Sequence, residues 1–381
     1  MVSSPEMMKK YDVIVIGGGL AGLTAAIHLA QESRSVCVFE KENYPHHKVC
    51  GEYVSNEIVP YLESLGVSLT NASVAIDTLQ LSMVKGQDLE FKLPVGGIGI
   101  SRYLFDDLLY QKALDLGVTF VLKTVTAISY SADSFECKTG DETIYYGEIA
   151  IGAYGKRSNI DKQLNRNFIN QKSSWLGVKC HYECANFPEN KVALHNFNGG
   201  YGGLSKIENG QVNFCYLASY QSFKRFKGIN DFNREVVCEN PFLRDFLKDA
   251  TPTFEQPLAI AQISFEEKDA VENHILMCGD SAGLIHPLCG NGMAMAIHSA
   301  KIATESILQY FENENYSRQQ LEADYRLAWK YNFEKRLKRG RQLQSILLNK
   351  SLSKLAMATV AKSSWLLKNI ITQTHGKPIE C

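Results

Sequence analysis

Residues 11–40 constrain this chain more than any other stretch. Residues 11–16 (YDVIVI) form a short β-branched apolar run, suited to a strand buried on both faces of a parallel sheet. The run leads directly into Gly17-Gly18-Gly19-Leu20-Ala21-Gly22, a GxGxxG on Gly17, Gly19 and Gly22. A helix is predicted over residues 23–31 and a second strand over 36–40, which ends in the acid Glu40. Gly17 permits a sharp turn, Gly19 lets backbone approach a pyrophosphate, and Gly22 allows helix to pack closely on strand. The N–H groups opening the helix face the phosphates, and Glu40 is placed to accept from a ribose hydroxyl. The order strand, glycine turn, helix, acid-terminated strand predicts a dinucleotide site. Residues 13–30 are almost uncharged and near the lower limit for a membrane span. The four glycines divide them more naturally into strand, turn and helix.

The rest of the composition sets broad limits. With 381 residues, two or three domains or one large one with an insertion are expected. A 45% hydrophobic and 21% charged make-up supports a sizeable core and excludes global disorder. The 40 basic and 41 acidic residues leave a net charge of −1, so no basic field marks a nucleic-acid binder. The ten cysteines are scattered, with no CxxC pair and no metal-ligand spacing. Several sit in apolar runs, which predicts reduced buried thiols, a cytoplasmic location and no metal site. The first ten residues lack the apolar core of a secretory signal.

Far downstream, residues 275–283 (ILMCGDSAG) read as a strand ending in Gly279-Asp280. Residues 284–292 (LIHPLCGNG) follow, with a helix from about Met293. This second segment resembles the FAD fingerprint of the glutathione-reductase-type flavoproteins, in the version carried by the aromatic hydroxylase and geranylgeranyl reductase group. The resemblance covers roughly residues 10–310. It implies an α/β fold: a glutathione-reductase-type FAD-binding Rossmann domain with an inserted antiparallel β-sheet substrate domain and a helical C-terminus. FAD is the implied cofactor. Asp280 is expected on its ribityl chain or pyrophosphate, and the turn Pro287–Gly292, with Gly290 and Met293, against its isoalloxazine ring. Ser101-Arg102 followed by Phe105-Asp106 resembles the helix whose arginine, here Arg102, lies near the flavin. Ala21, Lys41, Gly51, Thr126 and Gly279 complete the expected cofactor contacts. Residues 152–158 (GAYGKRS) match a Gly-Ala-Asp-Gly-x-x-Ser segment with one departure. Gly152, Gly155 and Ser158 remain, but Tyr154 stands where the group carries Asp, which puts ordinary NADPH docking in doubt.

Residues 46–52 (HHKVCGE) resemble the Lys-x-Cys-Gly-Glu motif of geranylgeranyl reductases, which saturate C=C bonds of prenyl lipids. Cys50 is thereby a candidate flavin contact or proton donor, and Glu52 a candidate to orient it or to cap a helix starting near Ser55. Tyr201 and His286 are the other candidate acids. The Tyr-x-Trp-x-Phe-Pro signature of that family is absent around residues 200–206 (GYGGLSK), so substrate identity does not carry over. The Trp-x-Trp-x-Ile-Pro motif of flavin halogenases is absent too.

Residues 10–72, 101–169 and 266–310 are assigned to three segments of the FAD domain, and 73–100 to a strand excursion. Residues 170–265 are assigned to an antiparallel substrate sheet and 311–381 to C-terminal helices. Phe197, Tyr201, Phe214 and Tyr216 are candidates to line the substrate face. Residues 335–341 (KRLKRGR) are strongly basic, and with the tail 343–371 they suggest peripheral contact with an anionic bilayer beside a lipid-like substrate. The expected activity is hydride transfer from reduced flavin to a C=C bond of a hydrophobic prenyl- or polyketide-like substrate. Hydroxylation by a flavin monooxygenase is the alternative, and halogenation a weaker one. NAD(P)H, ferredoxin or reduced flavin supplies the electrons, the last two through a partner protein.

Overall fold

The computed structural model describes residues 9–171, 173–348, 376 and 378–380. Two sheets organise it. The first has Lys9–Ile16 at its centre, paired in parallel with Val36–Phe39 on one side and Ile144–Gly152 on the other. Thr119–Val121 and Ile275–Met277 extend the parallel order outward on either side. Val13, Ile14 and Val15 are fully buried, as a strand covered on both faces requires. Helix Leu20–Gln31 begins three residues earlier than the spacing predicts, because Gly19 already serves as its N-cap. It packs on helices Arg102–Asp115 and Gly292–Glu312. Ser134–Thr139 and Val125–Ser131 complete this sheet as an antiparallel flap on Ile144–Gly152.

The second sheet has nine strands. Trp175–Glu183, Val212–Ser219, Gly200–Lys206 and Lys191–Phe197 form an antiparallel run in that spatial order. The excursion Val74–Ser82 and Asp88–Gly99 joins this run, but Val74–Ser82 pairs with Lys191–Phe197 in parallel. The sheet is therefore mixed at that seam. The short strand Tyr53–Ser55 lies on the edge of the same sheet, tying the cysteine loop to it.

Strand alternation sends the two faces to different tasks. Val178, Phe214 and Tyr216 point outward, and Phe197, Phe232 and Phe246 join them in an aromatic core covered by helices Ile229–Glu235 and Pro241–Asp249. The sequence reading of residues 170–265 contained no helices. Pro241 at the first helical position and the Asn240 side chain accepting from Phe242 N are the local signals for the longer one. The opposite face carries Lys179, His181, Tyr201, Asn213, Cys215 and Leu217 and looks toward the first sheet. Helix Arg318–Leu348 closes the body against Gly292–Glu312. The tail beyond it, where bilayer contact is expected, lies outside the described residues apart from 376 and 378–380. No described helix is long and apolar enough to cross a membrane.

Candidate active site

The glycine turn dictates one wall of a cavity of about 1450 Å³ that runs between the two sheets. Gly17 has φ +106°, and a Cβ there would stand 2.4 Å from Ala153 O. A Cβ on Gly22 would stand 2.0 Å from Gly17 O, so the helix approaches the turn this closely only with glycine at position 22. Gly19 differs. Its added Cβ would meet nothing closer than Arg102 Nη2 at 3.6 Å and Lys48 Nζ at 3.9 Å. The backbone there faces open cavity under two cations. The Arg102 guanidinium is fixed by Asp106 through Nε at 2.6 Å and Nη2 at 2.7 Å, and Lys48 Nζ donates to the same carboxylate at 2.8 Å. Burial alone raises an aspartate, but Arg102 and Lys48 outweigh it and hold Asp106 below its ordinary range. Two positive groups against one negative leave a surplus of one positive charge. That surplus sits beside an uncapped helix N-terminus with no acid in its first turn, an anion site by charge and by donors.

Glu40 and Lys41 border the same cavity. Glu40 accepts from Gly18 N at 3.0 Å and from Lys41 N at 2.9 Å, which aims the carboxylate and leaves lone pairs for a diol. Tyr44 OH donates to Gly18 O and occupies the space a Gly18 Cβ would need. The second fingerprint docks directly onto the first. Gly279, at φ +58°, fits between Ala21 and Ala296, where a Cβ would lie 3.3 Å from each. Ser281 Oγ accepts from Gly155 N at 2.9 Å, and Lys268 Nζ donates to the carbonyls of Asp280 (2.7 Å) and Lys156 (3.0 Å). Asp280 thereby borders the cavity beside the glycine turn. Tyr154 lines the cavity as well, and its hydroxyl donates to Asp161 at 3.2 Å. A carboxylate thus stands behind the position that departs from the flavoprotein pattern, and Arg166 neutralises it at 3.0 Å.

At the other end, Pro287, Gly290 and Gly292 turn into helix Gly292–Glu312, whose N-terminus also carries no side-chain cap. Cys50 borders the cavity here, its thiol donating to Met293 Sδ at 3.6 Å, and Gly51 lies beside it. Cys50 O accepts from Asn213 Nδ2 at 3.2 Å, a link to the second sheet. Beyond this point the wall turns apolar, with Leu79, Leu81, Phe91, Val192, Leu194 and Ile260. Tyr201 is buried on this wall with Leu217, Ile263 and Leu284. Leu343 and Ile346 of the last described helix close it.

Several expected placements differ. His286 lies outside the cavity wall, stacked on Phe265 at 3.7 Å, and burial pushes its imidazole down to about 3. It is neutral near pH 7 and holds no proton to give. Thr126 is exposed and donates to Lys138 O at 3.2 Å, while Lys123, Thr124 and Val125 form the wall instead. Phe197 and Phe214 belong to the outer aromatic core, because alternation turns them away from the chamber that Tyr201 enters. The Tyr216 ring packs with them, although the residue borders the cavity. Glu52 neither orients Cys50 nor caps a helix; Ser55 takes the cap. Instead Glu52 is fully buried and receives Lys179 Nζ at 2.5 Å, with His181 Nε2 at 2.7 Å and Arg102 N at 2.7 Å. Lys179 and His181 escaped the sequence reading. Two ionisable residues spaced i, i+2 in an otherwise apolar strand were the available signal.

Two glycine-built walls, a surplus positive charge between them and a diol-facing acid define a flavin adenine dinucleotide cradle opening onto an apolar chamber. Similarity to known proteins agrees with this. The family described as FAD binding domain matches residues 12–48. The chain is 23% identical over 358 residues to the conditioned medium factor receptor 1 of Dictyostelium discoideum, covering 85% of this chain and 68% of that one. It is 25% identical over 347 residues to the digeranylgeranylglycerophospholipid reductase of Methanocaldococcus jannaschii, covering 85% and 83%. The fold matches that of the flavin-dependent brominase Bmp2 with TM-score 0.80, 17% identity and coverage of 98% and 95%. The protein is an FAD-dependent oxidoreductase, similar in sequence to the digeranylgeranylglycerophospholipid reductases and in fold to flavin-dependent enzymes.

Proposed function

We propose that this enzyme reduces a carbon–carbon double bond in a hydrophobic, prenyl- or polyketide-like substrate. The observation that carries the reading is the continuity of one cavity: the phosphate-binding glycines open directly onto a wall of Leu79, Leu81, Phe91, Val192 and Leu194. The reductase from Methanocaldococcus jannaschii points the same way through its name. FAD, when bound, supplies hydride chemistry. The chain supplies the rest. Gly17, Gly19, Arg102 and Lys48 would hold the diphosphate, Glu40 would face the ribose, Asp280 the ribityl chain or diphosphate, and Pro287 and Gly290 the ring. The helix opening at Gly292 directs its positive end toward negative charge at that side. The aliphatic wall binds the substrate chain and excludes water. Saturation of an alkene also needs one proton, and Cys50 and Tyr201 are the proton-bearing side chains on this wall that we assign to deliver it.

Anaerobic single turnover of the chemically reduced holoenzyme with geranylgeranyl-bearing lipids tests the reading. The expected product is heavier by two hydrogens per double bond, with oxidised flavin formed in equal amount. Strict dependence on oxygen with a hydroxylated product, or on halide with a halogenated one, overturns it.

A further inference from the structure

Two-electron reduction of a flavin takes up a proton, and beside the cavity the chain buries an ionisable cluster that the reading above leaves unused. Glu52, Lys179 and His181 are all buried, with the two Glu52 oxygens shared between the ammonium at 2.5 Å and the imidazole at 2.7 Å. Lys179 Nζ also donates to Lys48 O at 3.2 Å. Glu52 is held at φ +54°, a conformation that a non-glycine residue keeps only when its surroundings over-determine it. Such a cluster is a poor way to hold the cysteine loop on the second sheet, since apolar residues of similar volume do so at equal or lower cost. Its position is informative. Glu52 borders the cavity two residues from Cys50. On the other side His181 meets the edge of His47 at 5.3 Å, and the Phe254 ring packs on both imidazoles at 4.8 and 4.7 Å. His47 is exposed at the cavity rim. Solvent, His47, His181 and Glu52 therefore lie in sequence from outside to chamber.

We propose that His47, His181 and Glu52, with Lys179 as counter-charge, form the route by which protons enter the flavin chamber. This rests on the FAD cradle and is independent of which substrate is reduced. Each two-electron reduction of the bound ring takes up one proton, and that proton comes from water through the two imidazoles and the carboxylate. The charges facing the route are Lys48 on its own loop, Arg102 and Asp106 on the neighbouring helix, and Lys179 on the strand.

The test uses the holoenzyme and a donor that carries no proton. Reduced methyl viologen is mixed with protein in weakly buffered dye under nitrogen, and flavin bleaching and proton uptake are followed together. Two viologen radicals give two electrons to one flavin, and one proton disappears from solution. In wild type uptake should keep pace with bleaching. In His181→Ala it should lag by roughly 100-fold, within the range of positioned acid–base groups, and added imidazole should restore it. His47→Gln, at the exposed rim, should lag less and leave flavin content unchanged. Should His181→Ala lose its flavin, His47→Gln decides by the same readings. Undiminished uptake in the variants, or a lag that imidazole leaves untouched, overturns the route. Because no organic substrate is present, failure here is distinct from failure of alkene reduction.

Discussion

The two sheets solve opposite problems. Along the first, the backbone carries the demand: a Cβ on Gly17 or Gly22 would collide, Gly279 holds φ +58°, and free N–H groups open the helix. Along the second, function resides in which side chains alternate onto one face, while the backbone is ordinary. On the proposed reading, cofactor recognition would rest on a few positions that admit one residue, and substrate recognition on aliphatic positions that admit many. The sharpest way to break this contrast is Gly22→Val. Its branched side chain would have to enter a space where even a Cβ lies 2.0 Å from Gly17 O. The expected outcome is complete loss of the yellow flavin spectrum, checked by absorbance after purification in excess FAD. A yellow variant would remove the backbone argument.

The next largest effect falls where the cysteine loop is pinned to the second sheet. Lys179→Met leaves Glu52 charged in a buried site, at a cost of about 3–5 kcal/mol, read as a lowered urea midpoint at pH 7. The pH dependence has a definite sign. Burial raises Glu52, but Lys179 and His181 outweigh it and set the folded value below the ordinary glutamate range. The cluster therefore stabilises fully above that range, and the contribution is lost as pH falls toward the depressed folded value. Glu52→Gln should flatten the acid limb of stability against pH. An unchanged limb would show that the join is not electrostatic.

Arg102→Met tests the phosphate end with a smaller effect. It removes a charged donor beside Gly19 but leaves Lys48 on Asp106, so FAD affinity should fall by roughly 10–100-fold, in line with about 1.5–3 kcal/mol for a charged hydrogen bond. Flavin fluorescence titration checks it. Leu194→Phe makes the complementary change in the chamber. FAD affinity should stay within twofold of wild type, an order-of-magnitude bound for a site that touches no cofactor, while KM for long substrates rises and kcat for short ones holds.

The same contrast explains what could be read in advance. Gly17, Gly22 and Gly279 were legible because a steric or positive-φ demand leaves a mark that few other residue types imitate, and Glu40 and Asp280 because each acid stands at a fixed distance from such a glycine. The approximate extent of the second sheet was legible from its β-branched runs and glycine turns. Its faces were not. Phe197, Tyr201, Phe214 and Tyr216 look alike in sequence, and a register decides that Tyr201 enters the chamber while the other rings pack under helices Ile229–Glu235 and Pro241–Asp249. The seam between Val74–Ser82 and Lys191–Phe197 pairs strands more than 100 residues apart, beyond any local periodicity. The Glu52–Lys179–His181 cluster was hidden for the same reason, since the cysteine loop and the strand Trp175–Glu183 that form it lie more than 120 residues apart.

His286 gives the smallest expected effect and the finest separation of wall from chamber. The ring sits behind the turn Pro287–Cys289, stacked on Phe265, with Gly340 packed against it and no partner for Nδ1 among the described residues. Burial first, and the Arg341 charge second, push it down to about 3. The unfolded chain binds a proton near the ordinary histidine value of 6.5 while the folded one does not, so stability falls as pH drops below that value toward 3. At pH 5 the penalty is about 2 kcal/mol. His286→Phe keeps the stack and removes the titration. It should recover most of that loss at pH 5, leave stability at pH 8 nearly unchanged, and leave flavin content and turnover untouched. Urea midpoints at the two pH values measure it. A loss of turnover with flavin retained would return His286 to the chamber and reassign this wall to the chemistry.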